Sequence, residues 1–212
     1  MVKAPLTRGH KKKARTRQAL LEAALRIYAQ KGIGELALKE LAVEANVSNG
    51  TVYNYFRTRE EVLEAVGLEL AEDLSQQISI LSEAVENGAH RVSIGIKTFM
   101  RKAEEDADWA RSVIRVFQLD RGMRSAVAFN LRKDLQTAKN QKLFTYECEA
   151  AAMTLVASAT IGAMTTIVDG LTVPDFERIM VKMVLMGLGM SVSAADKITA
   201  MDLPRQTGLP LS

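Results

Sequence analysis

Residues 38–59, LKELAVEANVSNGTVYNYFRTR, concentrate side chains suited to gripping a polyanion rather than to breaking bonds. Ser48, Asn49, Thr51, Tyr53, Asn54 and Tyr55 offer hydroxyls and amides, Lys39 and Arg59 flank them, and no carboxylate falls between Glu44 and Glu60. Asparagine pairs in a bidentate way with adenine, and a threonine methyl can touch a thymine methyl. Asn49 and Asn54 are therefore the candidates for base edges. Ser48, Thr51, Tyr53, Tyr55 and Arg59, with Lys39 beside them, are candidates for phosphates. Gly50 leaves the backbone uncovered in the first turn of a helix, where free amides favour an anion.

Two short helices must present these groups. Leu38, Leu41, Ala42 and Ala45 recur at i, i+3, i+4 and i+7 and form one apolar stripe. Asn46 tolerates the left-handed conformation that ends such a helix. Val47 pegs the turn, and Ser48 has the chemistry of an N-cap for a helix over Asn49–Tyr55. Val52 and Phe56 turn inward, so the polar residues between them face out. This is a helix-turn-helix pattern with the second helix as reader. Two ordinary amphipathic helices of an all-α domain have the same spacing.

The run Val47-Ser48-Asn49-Gly50-Thr51-Val52-Tyr53-Asn54-Tyr55-Phe56 resembles the signature of the tetracycline-repressor (TetR) family of bacterial transcriptional regulators. Leu20 to Leu25 and Ala29-Gln30-Lys31-Gly32 are similar to that family's first helix, so the resemblance covers about residues 15–65. Asn46 stands where the family has glycine, and Leu36 and Ala37 where a Thr/Ser pair usually opens the second helix. This chain therefore lacks one cap, an interaction worth ~1 kcal/mol, and one side-chain phosphate contact. The resemblance implies a homodimeric, ligand-responsive regulator, most often a repressor, acting on a palindromic double-stranded operator. It also implies dimerisation through the last two helices as a four-helix bundle.

The net charge of +3 conceals an asymmetry: residues 1–59 carry +8 and the remainder −5. A basic N-terminal unit on a mildly acidic body fits a polyanionic partner at one end. A single cysteine, Cys148, excludes an intramolecular disulfide and fits a reducing compartment. No apolar segment follows the basic N-terminus, so no secretory signal is expected and the cytoplasm is the expected location. Ala150 to Val168 is 19 residues without charge. Its alanines and threonines and the adjacent Asp169 favour a helix buried between helices over a membrane span.

The expected fold is all-α, about nine helices in two domains. Residues 1–14 read as a disordered basic arm, 15–58 as the helix-turn-helix domain, 59–194 as a ligand-binding and dimerisation domain, and 195–212 as a loose tail. The first helix is expected over Thr16–Lys31 with Gly32 as its stop. Thr58 and Glu61 form a capping box for a long helix reaching Val85. The body divides into helices near 89–105, 108–119, 123–141, 145–169 and 173–193, with Asp120-Arg121-Gly122 as one break and Thr172 capping the last. Small residues (Ala151, Ala157, Ser158, Gly162) in one long helix and methionines (Met180, Met183, Met186, Met190) in the next need burial on more than one side.

Little here could build an enzyme. The histidines are His10 and His90, no cluster has metal-ligand spacing, and there is no phosphate loop or nucleophile elbow. No catalytic residue, metal or cofactor is expected. Similarity to the family implies a small-molecule pocket in the body, and such pockets are apolar with a few polar groups. Phe99, Trp109, Val113, Phe117, Phe129 and Met153 are candidate lining residues, with Arg115 or Gln118 as a polar anchor. Plain core packing would use the same spacing. An aliphatic, methionine-rich interior fits an apolar or amphipathic effector that releases the operator. The rival to this reading is a non-specific architectural DNA binder with an inert helical dimerisation body.

Overall fold

A computed structural model of the chain describes residues 8–31, 36–118 and 126–204. Among them there are helices and turns but no strand. The helices are α1 (Arg8–Lys31), α2 (Leu38–Glu44), α3 (Asn49–Tyr53), α4 (Arg59–Leu81), α5 (Gly88–Glu105), α6 (Ala107–Gln118), α7 (Ala126–Asn140), α8 (Glu149–Val168), α9 (Phe176–Gly187) and α10 (Val192–Thr199). The chain forms two compact units, 1–67 and 68–212, so the division falls inside α4 rather than at residue 58.

The first unit is built around Leu20, Leu21, Ala24 and Ile27 of α1, with Leu36, Leu41, Val52, Phe56, Val62 and Val66 buried alongside. Helix α1 begins at least eight residues before the expected Thr16, and the basic stretch from Arg8 is helical rather than a disordered arm. Lysine, arginine and alanine are good helix formers, and extending a helix already anchored by its apolar half needs no new nucleus. Residues 1–7 and the proposed stop at Gly32 lie outside the described residues.

In the second unit α5 is the central element: from Gly88 to Met100 none of its residues is exposed. Its N-terminus is capped by Asn87, whose side chain accepts from His90 N. Gln141 at the end of α7 adds a clamp, accepting from Gly88 N at 2.9 Å and donating to Glu86 O at 2.7 Å. Lys97 is buried, and its ammonium donates to Thr199 O and Met201 O, both at 2.9 Å. It thereby neutralises the free carbonyls at the C-terminus of α10. Burial pushes the Lys97 pKa down, while nearby Glu177 pulls it up.

The C-terminal end departs from the sequence expectation. The expected helix over 173–193 is interrupted at Gly189 (φ 95°), and 195–199 is the buried end of a further helix instead of a loose tail. Ser191 caps that helix by accepting from Ala194 N, and Ala195, Ile198 and Thr199 are buried. Thr172 does not cap α9: the N-cap position is Asp175, in the left-handed conformation (φ 62°), and Pro174 precedes the helix. The break expected at Asp120-Arg121-Gly122, like Gly208 and Pro210 of the tail, lies outside the described residues.

Helix α8 is long and apolar enough to cross a membrane, yet Ala152, Met153, Val156, Ala163 and Met164 pack into the core. Its other face, with Ala151, Thr154, Leu155, Ser158, Gly162 and Thr165, is exposed and carries no charge. Ile179, Met183 and Met186 of α9 are exposed as well, Met183 by 63%. Helices α8 and α9 touch at Gly187, where an added Cβ would lie 2.9 Å from Leu155 Cδ2. Leu188 and Met190, in contrast, point into the core.

Gly88 fixes the crossing of α5 and α7, because a Cβ there would fall 2.4 Å from Ala138 N, a backbone atom that cannot yield. Gly88→Ala is expected to destabilise the protein by ~3 kcal/mol through overpacking. Gly95→Ala, where a Cβ meets nothing within 4 Å, is expected to stabilise it by ~0.5–1 kcal/mol. Urea titration of the two variants beside the parent tests the contrast; equal effects would refute the close crossing.

Candidate nucleic-acid interface and ligand cavity

The reader segment is fixed by its ends. Helix α2 closes at Ala45, and Asn46 takes φ 51°. Val47 N donates to Ala42 O at 2.9 Å and Asn46 N to Val43 O at 3.0 Å, the paired bonds of a Schellman motif. Ser48 then caps α3: its Oγ accepts from Thr51 N at 3.1 Å and lies 2.9 Å from Thr51 Oγ1. A helix of five residues has no stability of its own. The caps and the burial of Val52 and Phe56 hold it in place. No side-chain bond caps the start of α2 at Ala37.

Above that core, Lys39, Ser48, Asn49, Gly50, Tyr53 and Asn54 are exposed, and Thr51 and Tyr55 half-buried. Tyr53 is 52% exposed, unusual for an aromatic ring in so small a unit. The acids of α2 are neutralised from α1, Glu44 by Arg26 at 2.7 Å and Glu40 by Lys31. Arg59 is placed differently from the other candidates. Its Nε donates to Leu36 O at 2.8 Å, tying the start of α4 to the segment before α2. Thr58 and Glu61 cap α4, though Glu61 accepts from Arg57 N rather than from Thr58 N. Gly50 lacks any internal reason to be glycine: its φ is not positive, and an added Cβ would meet only Ser48 Oγ, at 3.8 Å.

The second unit has a partly open cavity of about 90 Å³ lined from α4, α5, α6, α7 and α8. Phe99, Phe117 and Met153 line it as expected, with Ile78, Val92, Ile96, Leu131 and Val156. The other expected lining residues lie elsewhere. Trp109 and Val113 are core residues, Trp109 packing its ring 5.7 Å from that of Phe99. Phe129 is 65% exposed and faces an outer groove of about 390 Å³ instead. Arg115 is exposed and does not line the cavity. The Gln118 side chain lies outside the described residues. Aromatic residues at helical spacing satisfy a core and a cavity alike, so spacing could not separate these roles.

The charged residues that line the cavity are Arg91 and Asp134, which sequence reasoning missed. Arg91 Nε lies 2.8 Å from Asp134 Oδ1, with both side chains largely buried. Burial pushes the Asp134 carboxyl above its ordinary range, and the Arg91 and Lys133 charges pull it back. A signal was present: Asp134 falls on the stripe Val127, Leu131, Asp134, Ala138, where an inward-facing residue should be apolar. Asn130 donates to Ser75 Oγ at 2.9 Å, linking α7 to α4. Ser79, Arg91 and Asn130 border both the cavity and the outer groove. Among the described residues no group of acids, histidines and cysteine is arranged to hold a metal.

Removing one member of a buried pair leaves the other charge without compensation. Arg91→Met is expected to cost ~3 kcal/mol, and the double variant Arg91→Met/Asp134→Leu to recover most of that loss. Denaturant titration of both variants checks this, and additive losses would refute the pairing.

With this geometry in hand, known proteins provide comparison. Residues 20–66 match the model for bacterial regulatory proteins of the tetR family. The transcriptional regulator LuxR of Vibrio harveyi is 35% identical over 99 residues, 45% of this chain and 46% of that protein. The nicotine-responsive repressor HdnoR of Paenarthrobacter nicotinovorans is 34% identical over 79 residues, 36% of this chain and 41% of that protein. The matched segments thus span about half or less of these curated relatives. Two solved structures share the fold over nearly their whole length. RolR in complex with resorcinol has a TM-score of 0.77 at 24% identity, covering 92% of this chain and 98% of RolR. Thermus thermophilus FadR, a repressor in complex with lauroyl-CoA, has a TM-score of 0.64 at 17% identity, covering 91% and 100%.

Proposed function

The chain belongs to the tetR family of bacterial regulatory proteins, and from that premise we propose that it is a ligand-responsive, DNA-binding transcriptional repressor acting in the cytoplasm. The observation that carries the DNA-binding part is the reader helix. It is locked from beneath by two caps and two buried side chains, yet its outward residues Asn49, Tyr53 and Asn54 make no side-chain hydrogen bond among the described residues. Groups fixed in position and left without internal partners are preorganised for a ligand outside the fold. In this reading Asn49 and Asn54 meet base edges. Lys39, Ser48, Thr51, Tyr53 and Tyr55 hold phosphates, and Arg59, engaged with Leu36, chiefly positions the reader. Arg17 of α1 lies over the Phe56 ring, 5.4 Å from its centroid, and adds positive charge to this unit.

A palindromic operator requires two copies of the reader, one helical turn apart. The outer faces of α8 and α9, with Leu155, Ile179, Met183 and Met186 exposed beside Arg178, are the surface proposed for the homodimer. Contiguous exposed apolar area of this kind marks an association site. The cavity supplies the effector site. Resorcinol in RolR and lauroyl-CoA in FadR are ligands of the same fold, and they differ too much to specify this chain's own.

Gly50 provides the sharpest test. Gly50→Ala is expected to leave thermal stability unchanged or slightly raised, since nothing inside the fold needs a glycine there. It should nevertheless weaken operator binding at least tenfold, as should Tyr53→Ala. Fluorescence anisotropy on DNA upstream of the gene against scrambled duplex, at several salt concentrations, measures both. Full affinity in either variant would sink the assigned reader. Equal, steeply salt-sensitive binding to both duplexes would instead favour the architectural alternative.

Met183→Glu/Met186→Glu is expected to yield a folded monomer with lost operator affinity. Light scattering that still shows a dimer would move the interface elsewhere.

A further inference from the structure

The wall of the cavity restricts what can enter it. Its hydroxyls are already used: Ser79 Oγ donates to Ser75 O at 3.0 Å, Thr160 Oγ1 to Val156 O at 2.8 Å, and Ser75 accepts from Asn130. Arg91 and Asp134 are different. Arg91 Nε and Asp134 Oδ1 form a buried ion pair 2.8 Å apart, and both residues line the cavity. A paired cation and anion in an otherwise largely apolar wall confront a ligand with both signs of charge at one place.

Taking the effector-cavity reading as its basis, we propose that this cavity recognises a small, neutral, single-ring molecule carrying a hydroxyl group, which donates to Asp134 and accepts from Arg91. Size sets the ring count. A cavity of about 90 Å³ is of the order of the ~150 Å³ apolar cavity that accepts benzene. Charge sets neutrality. Arg91 alone would favour an anion and Asp134 alone a cation; together they leave a carboxylate facing Asp134 and an ammonium facing Arg91. A hydroxyl is the compact neutral group that donates and accepts at one atom. Phe99, Phe117 and the surrounding aliphatic side chains cover the rest of a flat ring.

The test uses the full chain, with phenol, toluene, benzoate, benzylamine and dodecanoate as probes, measured by isothermal titration calorimetry. Phenol is expected to bind at least tenfold more tightly than toluene, with no binding of the two ions or the fatty acid at the same concentrations. Asp134→Asn should remove the preference for phenol over toluene. Gly95→Val, which fills open space at the cavity wall without meeting a neighbour within 4 Å of its Cβ, should abolish binding of both in a folded protein. Should Asp134→Asn fail to fold, the parent's probe series and Gly95→Val still decide. Toluene bound as well as phenol, or benzoate or dodecanoate bound more tightly, would overturn the ligand class while leaving the cavity as an effector site. Absence of binding by every probe, or binding indifferent to Gly95→Val, would overturn the effector-cavity reading itself.

Discussion

Helix α5 has almost no face turned to water over its first three turns, and much of the second unit follows from that constraint. A helix enclosed on every side cannot use large side chains throughout, because its neighbours must approach within 8–10 Å. Gly88, Ala89 and Ser93 admit them, and Val92, Ile96, Phe99 and Met100 fill what remains. Its polar groups must then find partners inside the protein. Lys97 finds them at the end of α10, where two carbonyls need a cation. Ser93 Oγ finds none. Arg91 finds Asp134, at a position where α5, α7 and α8 fail to close completely. The cavity thus lies where a charged pair is buried in an aliphatic core.

That position also connects the cavity to α4. Helix α7 presents Asp134 to the cavity, but it is held at its other end by Glu72 of α4, whose carboxylate accepts from Ala126 N at 3.1 Å. One turn on, Asn130 binds Ser75. A ligand that draws on Asp134 and Arg91 therefore acts on a helix tied to α4 by two polar links, and α4 begins among the residues of the first unit. In the proposed mechanism this is the route by which occupancy changes the affinity for DNA. The magnitude of that change is limited by how differently the ligand binds the two states.

Local chemistry was legible in the sequence, and long-range packing was not. Asn46 and Ser48 announced the end of α2 and the start of α3, because a left-handed cap and a hydroxyl cap are decided within a few residues. The helical order of the body was legible from its turn residues for the same reason. The basic stretch after Arg8 misled because charge was weighed as disorder, when lysine and arginine propagate a helix already nucleated. Helix α10 stands where a loose tail is expected, although Ser191, Ala195 and Ile198 carry its cap and inner stripe. For the cavity, Phe99, Phe117 and Met153 were found while Trp109, Val113 and Arg115 were not separated from them. Whether a given aromatic side chain touches another side chain or empty space depends on helices far apart in sequence.

Gly88 and Gly189 of the second unit are fixed by their neighbours, and Gly50 of the first is not. Gly88 is required by Ala138, and Gly189, at φ 95° with an added Cβ 2.0 Å from Thr145 Oγ1, is required twice over. Both are explained within the protein. Gly50 has a helical neighbourhood, open space beside it and a conformation that alanine would prefer. A residue that the fold would do better without, at the first turn of an exposed helix among unpartnered asparagines, requires an explanation outside the fold. In the function proposed above, close approach of a phosphate to the α3 backbone supplies one.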